Sequence, residues 1–173
     1  MRITLPTLSL AFALALGVAA DYQTVNYDVG NISAILTTLD NDVQGVVAGT
    51  PGLGFALQVE QDAVVLDKKI LQTIQDINAS PAFGTGGSLE VGISLLALEP
   101  KINTTLADVA SKNKAFGDLG VIVLASLKQL KKDTDTLGQL IVPKLDALEQ
   151  ALAPAIISGI DNAFANALAA YQT

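Results

Sequence analysis

The chain has 173 residues, half of them hydrophobic and few aromatic, and its 17 acids against 10 bases give a formal charge of −7. It contains no cysteine, histidine or tryptophan, which excludes disulfides, thiol nucleophiles, histidine bases and zinc-finger chemistry. The acidic balance leaves no basic stripe to neutralise phosphates, so nucleic-acid binding is excluded too.

At the amino terminus Arg2 precedes the apolar run LPTLSLAFALALGV, which ends in Ala19 and Ala20. That layout predicts a signal peptide over residues 1–20, with Val18 and Ala20 three and one positions before a cut at Asp21. Removing 20 of the 173 residues leaves 153, carrying 9 lysines and 17 acids for a charge of −8. A chain of this length buries a core without disulfides, so residues 21–173 are expected to form one domain. Thr4, Pro6, Thr7 and Ser9 break up a run already short of the roughly 20 residues of a spanning helix, which argues against a membrane anchor. Asn31-Ile32-Ser33, Asn78-Ala79-Ser80 and Asn103-Thr104-Thr105 are glycosylation sequons that fit a secreted product, although Pro81 disfavours the second. The closing NAFANALAAYQT has neither the polar spacer nor the hydrophobic tail of a C-terminal lipid anchor.

Periodicity predicts helices throughout. Val29, Ile32, Leu36, Leu39, Val43 and Val46 recur at steps of three and four, a first helix over about 29–47 that the turn Gly49-Thr50-Pro51-Gly52 ends. Phe55, Val59, Ala63, Leu66, Ile70, Ile74 and Ile77 form the apolar side of a longer second helix, with Glu60, Asp62, Lys68, Lys69 and Asp76 largely elsewhere. The stretch from Asn78 to Gly87 reads as a loop, with Ser88 placed to cap a third helix. Leu95, Leu98, Ile102, Leu106 and Val109 keep helical spacing through Pro100, where a kink or division is expected. Val123, Leu127, Leu130, Thr134, Leu137 and Ile141 make the seam of a fourth helix, with Lys128, Gln129, Lys131, Lys132, Asp133 and Asp135 outside. Val121, Ile122 and Leu124 exceed one seam, which predicts cover on several sides at that end. After Pro143, Leu145, Leu148, Leu152, Ile156, Ile160, Ala163 and Ala167 form a fifth helix with a kink expected near Pro154. The fold class is therefore all-α, a single bundle of about five amphipathic helices with proline-induced kinks.

Motifs for chemistry fail on inspection. Asp133-Thr134-Asp135-Thr136-Leu137-Gly138 opens like a calcium loop, but Leu137 and Lys144 stand where oxygen ligands are required. The same Asp-x-Asp lies on a helix beside lysines and reads as a solvated face. Gly52-Leu53-Gly54 and Gly84-Thr85-Gly86-Gly87 lack the Lys-Ser/Thr of a phosphate loop. Glu90 with Glu99, or Asp40 with Asp42, could be offered as an acid/base pair, but nothing around them sets two carboxylates apart, and ordinary surface charge is the better reading. No catalytic residue, metal ligand or cofactor is expected, and the chain is read as a non-enzyme.

LEPKINTTL, KNKAFGDLGVIVLASLKQLKKDTDTLGQLIVPKL and AIISGIDNAFANALAAY resemble the fungal hydrophobic surface-binding protein A family, which includes the cell-wall galactomannoproteins. The spacings LxPxIxxTL, KxxAF, LxxLKxxTDxLG and VP carry the likeness, and VGNISAILTTLDNDV is similar to the family's first helix. The resemblance implies a small secreted or wall-associated glycoprotein that binds hydrophobic surfaces, fatty acids or other lipids. Cell-wall components and secreted polyester-degrading hydrolases are further partners it implies. The alternative is a structural wall galactomannoprotein acting through its glycans or protein contacts.

Lipid binding is physically coherent without an arginine clamp, because each buried methylene is worth about 0.8 kcal/mol and a long chain about 10 kcal/mol before association costs. The expected lipid-lining residues are Leu39, Val43, Phe55, Leu66, Ile74, Leu95, Leu106, Phe116, Val123, Leu127, Leu130, Leu152 and Ile156. These same residues could instead only pack on one another. Proline kinks and small residues favour incomplete closure and hence a cavity.

Overall fold

The computed structural model describes residues 21–172, with Thr50 described by its backbone alone. The expected signal peptide at 1–20 lies outside the described residues. Five long helices make the fold: α1 Tyr22–Gly45, α2 Leu53–Ala79, α3 Gly84–Ser111, α4 Gly120–Ile141 and α5 Ala147–Ala170. A four-residue helical turn, Asn113–Phe116, and 3-10 turns at Thr50–Gly52, Gly117–Leu119 and Val142–Lys144 connect them. The all-α bundle is as expected, and no strand occurs among the described residues. No helix among them is long and apolar enough to cross a membrane.

Helix α1 begins seven residues earlier than its apolar pattern, because Asp21 caps it: the Asp21 carboxylate accepts from the Thr24 backbone N–H at 3.0 Å. At its other end the Lys112 ammonium donates to the carbonyls of Gln44 and Val46, both at 3.0 Å, and so serves carbonyls beyond the last helical bonds. Helix α3 also starts early, within the glycine-rich stretch read as a loop. Gly87 is there for close approach: a Cβ would lie 2.6 Å from the Tyr22 ring. Ser88 caps no helix of its own; its hydroxyl oxygen accepts from the Asp146 N–H at 2.8 Å, at the start of α5.

Helices α3 and α5 run through Pro100 and Pro154 without a break. Both prolines are exposed, so water can meet the carbonyls that lose a donor, and neither ring is forced into a packed neighbour. Val121 and Ile122 are also exposed, at 76 % and 50 %. The expected cover at the start of α4 is absent, since a helix in a ring meets its neighbours over only part of its circumference, and there Val123 alone is fully buried.

The order of packing positions the site. Helix α1 lies between α2 and α3, α3 packs on α5, and α2 packs on α4, while α4 and α5 meet only sparsely. The helices thus form a ring whose last junction is loosely closed. Two staples hold its ends. The Phe83 N–H donates to the Lys144 carbonyl at 2.9 Å and the Lys144 ammonium to the Ser80 carbonyl, tying the α2–α3 and α4–α5 connections together. At the opposite end the Tyr171 hydroxyl donates to the Val109 carbonyl at 2.8 Å, and the Tyr171 ring sits 6.2 Å from that of Phe116. Val25, Val29, Val43, Ile77 and Val91 are at or within one per cent of complete burial and anchor the well-closed side.

Candidate lipid-binding cavity

A cavity of about 640 Å³ opens where the ring is loosely closed, lined by α3, α4, the Val142–Leu145 connection and α5. That volume falls within the roughly 300–1,000 Å³ of small-molecule sites. Leu95, Leu98, Ile102, Leu137, Ile141, Ala153, Ile156 and Ile160 form much of its apolar wall. Gly138 lines it as well, and its missing side chain keeps space open opposite Ile157. Around the mouth, Leu89, Ile93 and Leu96 of α3 face Leu148, Leu152 and Ile157 of α5, and all six are exposed large hydrophobics. A rim of this kind marks an interaction site more than a packing defect.

A second, smaller void of about 80 Å³ lies among mostly apolar residues such as Leu36, Leu39, Leu66, Leu106, Val123, Leu127 and Phe164. Leu98, Ile102, Thr134 and Leu137 line both spaces and form the partition between them.

The residues named from the sequence divide among these places. Leu95, Leu152 and Ile156 line the large cavity. Leu39, Leu66, Leu106, Val123, Leu127 and Leu130 line the small void. Val43, Phe55, Ile74 and Phe116 line neither. Val43 is fully buried on the closed side, Ile74 packs against the core, and Phe116 packs on Tyr171. Phe55 is 45 % exposed, its ring seated over Gly45, where a Cβ would lie 2.5 Å from it. The mouth residues Leu89, Ile93, Leu96, Leu148 and Ile157 were missed as lining. Their signal was present: α3 and α5 carry apolar residues around more than one face, which a surface helix does not need.

Of the sequons, Asn78 is exposed and Asn31 half-buried. Asn103 is also half-buried, its amide donating to Glu99 at 3.5 Å.

Charge inside the bundle departs from the expected solvated faces. Asp28, Asp62 and Asp133 are buried, and carboxylates face one another between helices: Asp28 with Asp76, Asp40 with Asp108, Asp42 with Asp62, and Asp67 with Asp133. Asp40, read as ordinary surface charge, belongs to one of these pairs, and Asp133, assigned to the outer side of α4, belongs to another. Seam analysis sends every polar residue outward and overlooks that α2 and α4 meet along this edge. One buried oxygen in each pair, Asp28 Oδ2, Asp40 Oδ1, Asp62 Oδ2 or Asp67 Oδ1, has no protein donor among the described residues. The Lys69 ammonium partly compensates Asp28.

Burial, and then the Asp133 carboxylate, push Asp67 up to about 6. Its folded value thus exceeds the ordinary carboxyl value near 3.9, so the native state holds a proton that the unfolded chain has released. The resulting stability is complete below about pH 3.9 and lost as pH rises through about 6. Asp67→Asn, which supplies a permanent donor toward Asp133, is expected to stabilise the protein at pH 8 by about 1–3 kcal/mol, with the gain shrinking by pH 5. Urea unfolding at the two pH values measures it. Among the described residues no group of three or more acids is placed to hold a metal ion.

The comparisons agree with this geometry. The family model for hydrophobic surface binding protein A matches residues 22–143. No curated protein gives a significant match. A crystal structure of Afmp4p in complex with palmitic acid superposes with a TM-score of 0.82 at 26% identity, covering 87% of this chain and 99% of that one. Ligand binding domain 1 of the Penicillium marneffei MP1 protein, complexed with arachidonic acids, gives 0.79 at 18% identity, covering 87% and 98%. Domain 2 of the same protein, complexed with multiple arachidonic acids, gives 0.79 at 18%, covering 89% and 97%. At 18% the two MP1 domains speak for the fold alone.

Proposed function

The chain belongs to the hydrophobic surface binding protein A family, and from that premise we propose that it binds single-chain lipids of the fatty-acid type in the cavity between α3, α4 and α5, by sequestration and without turnover. The observation that carries this reading is the 640 Å³ apolar space at the one loosely packed junction of the ring, ringed by exposed leucines and isoleucines. Burying a sixteen-carbon chain supplies on the order of 10 kcal/mol, and association costs of at least about 4 kcal/mol leave at most about 6 kcal/mol, a dissociation constant of tens of micromolar or weaker. The rim gives the family's surface affinity a place: Leu89, Ile93, Leu96, Leu148, Leu152 and Ile157 rest on a lipid or waxy surface while one chain passes inward.

Secretion with loss of residues 1–20, glycosylation at Asn31, Asn78 and Asn103, and loose association with cell-wall components or secreted hydrolases belong to the same proposal. So does the lining role of Leu95, Leu152 and Ile156, which their position in the cavity wall supports. Native mass spectrometry of the protein mixed with palmitate tests the reading. A one-to-one adduct that protects the fold against heat is expected; no adduct, with the helices intact, contradicts it.

A further inference from the structure

The polar groups that reach the large cavity give it a selectivity its apolar wall lacks. Among the described residues its lining holds one cation, Lys131, against three acids, Asp135, Glu149 and Asp161. Helix α3 contributes no ionisable group to that lining. Its Glu99 lies over Gly159, outside the cavity wall.

Lys131 is the group expected to meet a fatty-acid carboxylate, yet it is already engaged. Its ammonium donates to Asp135 Oδ1 at 3.0 Å, Asp135 Oδ2 at 2.8 Å and Asp161 Oδ1 at 2.9 Å. An ammonium has three protons, and three oxygens from two carboxylates occupy them. Asp135, and then Asp161, also raise its pKa, and one ammonium set against two carboxylates gives the cluster a formal charge of −1. A ligand carboxylate would have to displace an aspartate or lie in a field of its own sign, and either costs affinity. The uncharged polar groups of the lining, the Thr134 hydroxyl and the Gln139 amide, both donate and accept, which suits a hydroxyl head. Thr134 stands at the partition between the two spaces, where a head or a polar kink would pass.

We propose that this cavity selects long-chain amphiphiles with an uncharged, hydroxyl-bearing head, such as monoacylglycerols, over ionised fatty acids, and that the Lys131–Asp135–Asp161 cluster sets the preference. The inference rests on the lipid-binding reading and specifies the head group. A free fatty acid then enters in its protonated form, so its affinity climbs as pH falls, while that of a monoacylglycerol stays level.

Displacement of Nile red from the full folded domain by 1-monomyristoylglycerol and by sodium myristate, at pH 8 and at pH 4.5, tests it. At pH 8 the monoacylglycerol is expected to bind about tenfold more tightly, and at pH 4.5 the difference narrows to about twofold. Asp161→Asn and, separately, Asp135→Asn remove a negative charge beside Lys131 and replace a charged acceptor by a weaker, uncharged one. Each is expected to tighten myristate at pH 8 by about tenfold relative to monomyristoylglycerol, so the readout is the ratio of the two affinities. Both aspartates are partly exposed, and circular dichroism confirms that each variant keeps its helices. Myristate binding as tightly as the monoacylglycerol at pH 8, or unmoved by both substitutions, overturns the head-group preference and leaves lipid binding standing. Failure of both lipids to displace the dye overturns lipid binding itself and this inference with it.

Discussion

Gly138→Leu is expected to leave the bundle at least as stable as the parent and to remove most of its lipid affinity. Gly138 lies in the interior of α4 and lines the large cavity. A Cβ there would sit 3.9 Å from Ile157, an ordinary contact, so the substitution begins without a clash. Leucine is favoured over glycine in a helix interior by about 0.5–1 kcal/mol, and the added side chain gains apolar neighbours. Its remaining atoms take space that three or four ligand methylenes would fill, a loss of about 3 kcal/mol, or roughly a hundredfold in affinity. Thermal unfolding together with a displacement titration reads both effects. A leucine variant with the parent's affinity would place the bound chain elsewhere on the protein.

Phe164→Ala has the opposite signature. Phe164 is 4 % exposed on α5 and closes the small void from the side opposite α1. Truncation removes the ring and enlarges a space that is already unfilled, so the expected loss of stability is about 3–5 kcal/mol. Ligand binding to the surviving folded molecules should change far less than in Gly138→Leu, since Phe164 does not line the large cavity. A shift in the urea midpoint at unchanged slope is the expected reading. A loss below about 1 kcal/mol would mean that the surrounding helices collapse onto the gap.

The two substitutions differ because the bundle has two interiors, and the sequence discloses them unequally. The seam of α4 was legible: Val123, Leu127, Leu130, Leu137 and Ile141 are all buried, as steps of three and four require. Thr134 in the same seam stands at the partition between the two spaces. Its hydroxyl could have signalled a face that does not pack fully dry. Periodicity names the face that turns inward but not whether the opposing face reaches it. Val43 and Leu95 obey the same spacing, yet one is sealed and the other lines a cavity, because α1 is held on two sides while α4 and α5 barely meet.

Glycine is ambiguous in a sequence, for a definite physical reason. The stretch from Gly84 to Gly87 reads as a loop in the sequence, yet it is the first turn of α3, and Gly87 is small because the Tyr22 ring lies on it. The buried acids are ambiguous in the same way. Asp67 and Asp133 sit on different helices, and neither residue's local pattern reveals that the other faces it.

The central claim, that an acyl chain is enclosed between α3, α4 and α5, is tested most directly by intermolecular NOEs between uniformly ¹³C-labelled palmitate and the methyl groups of the protein. Cross-peaks to Leu95, Leu152, Ile156 and Ile157, with none to Val64 or Leu71 on the outer face of α2, are the predicted result. Contacts confined to that outer face, with the cavity methyls silent, would contradict it.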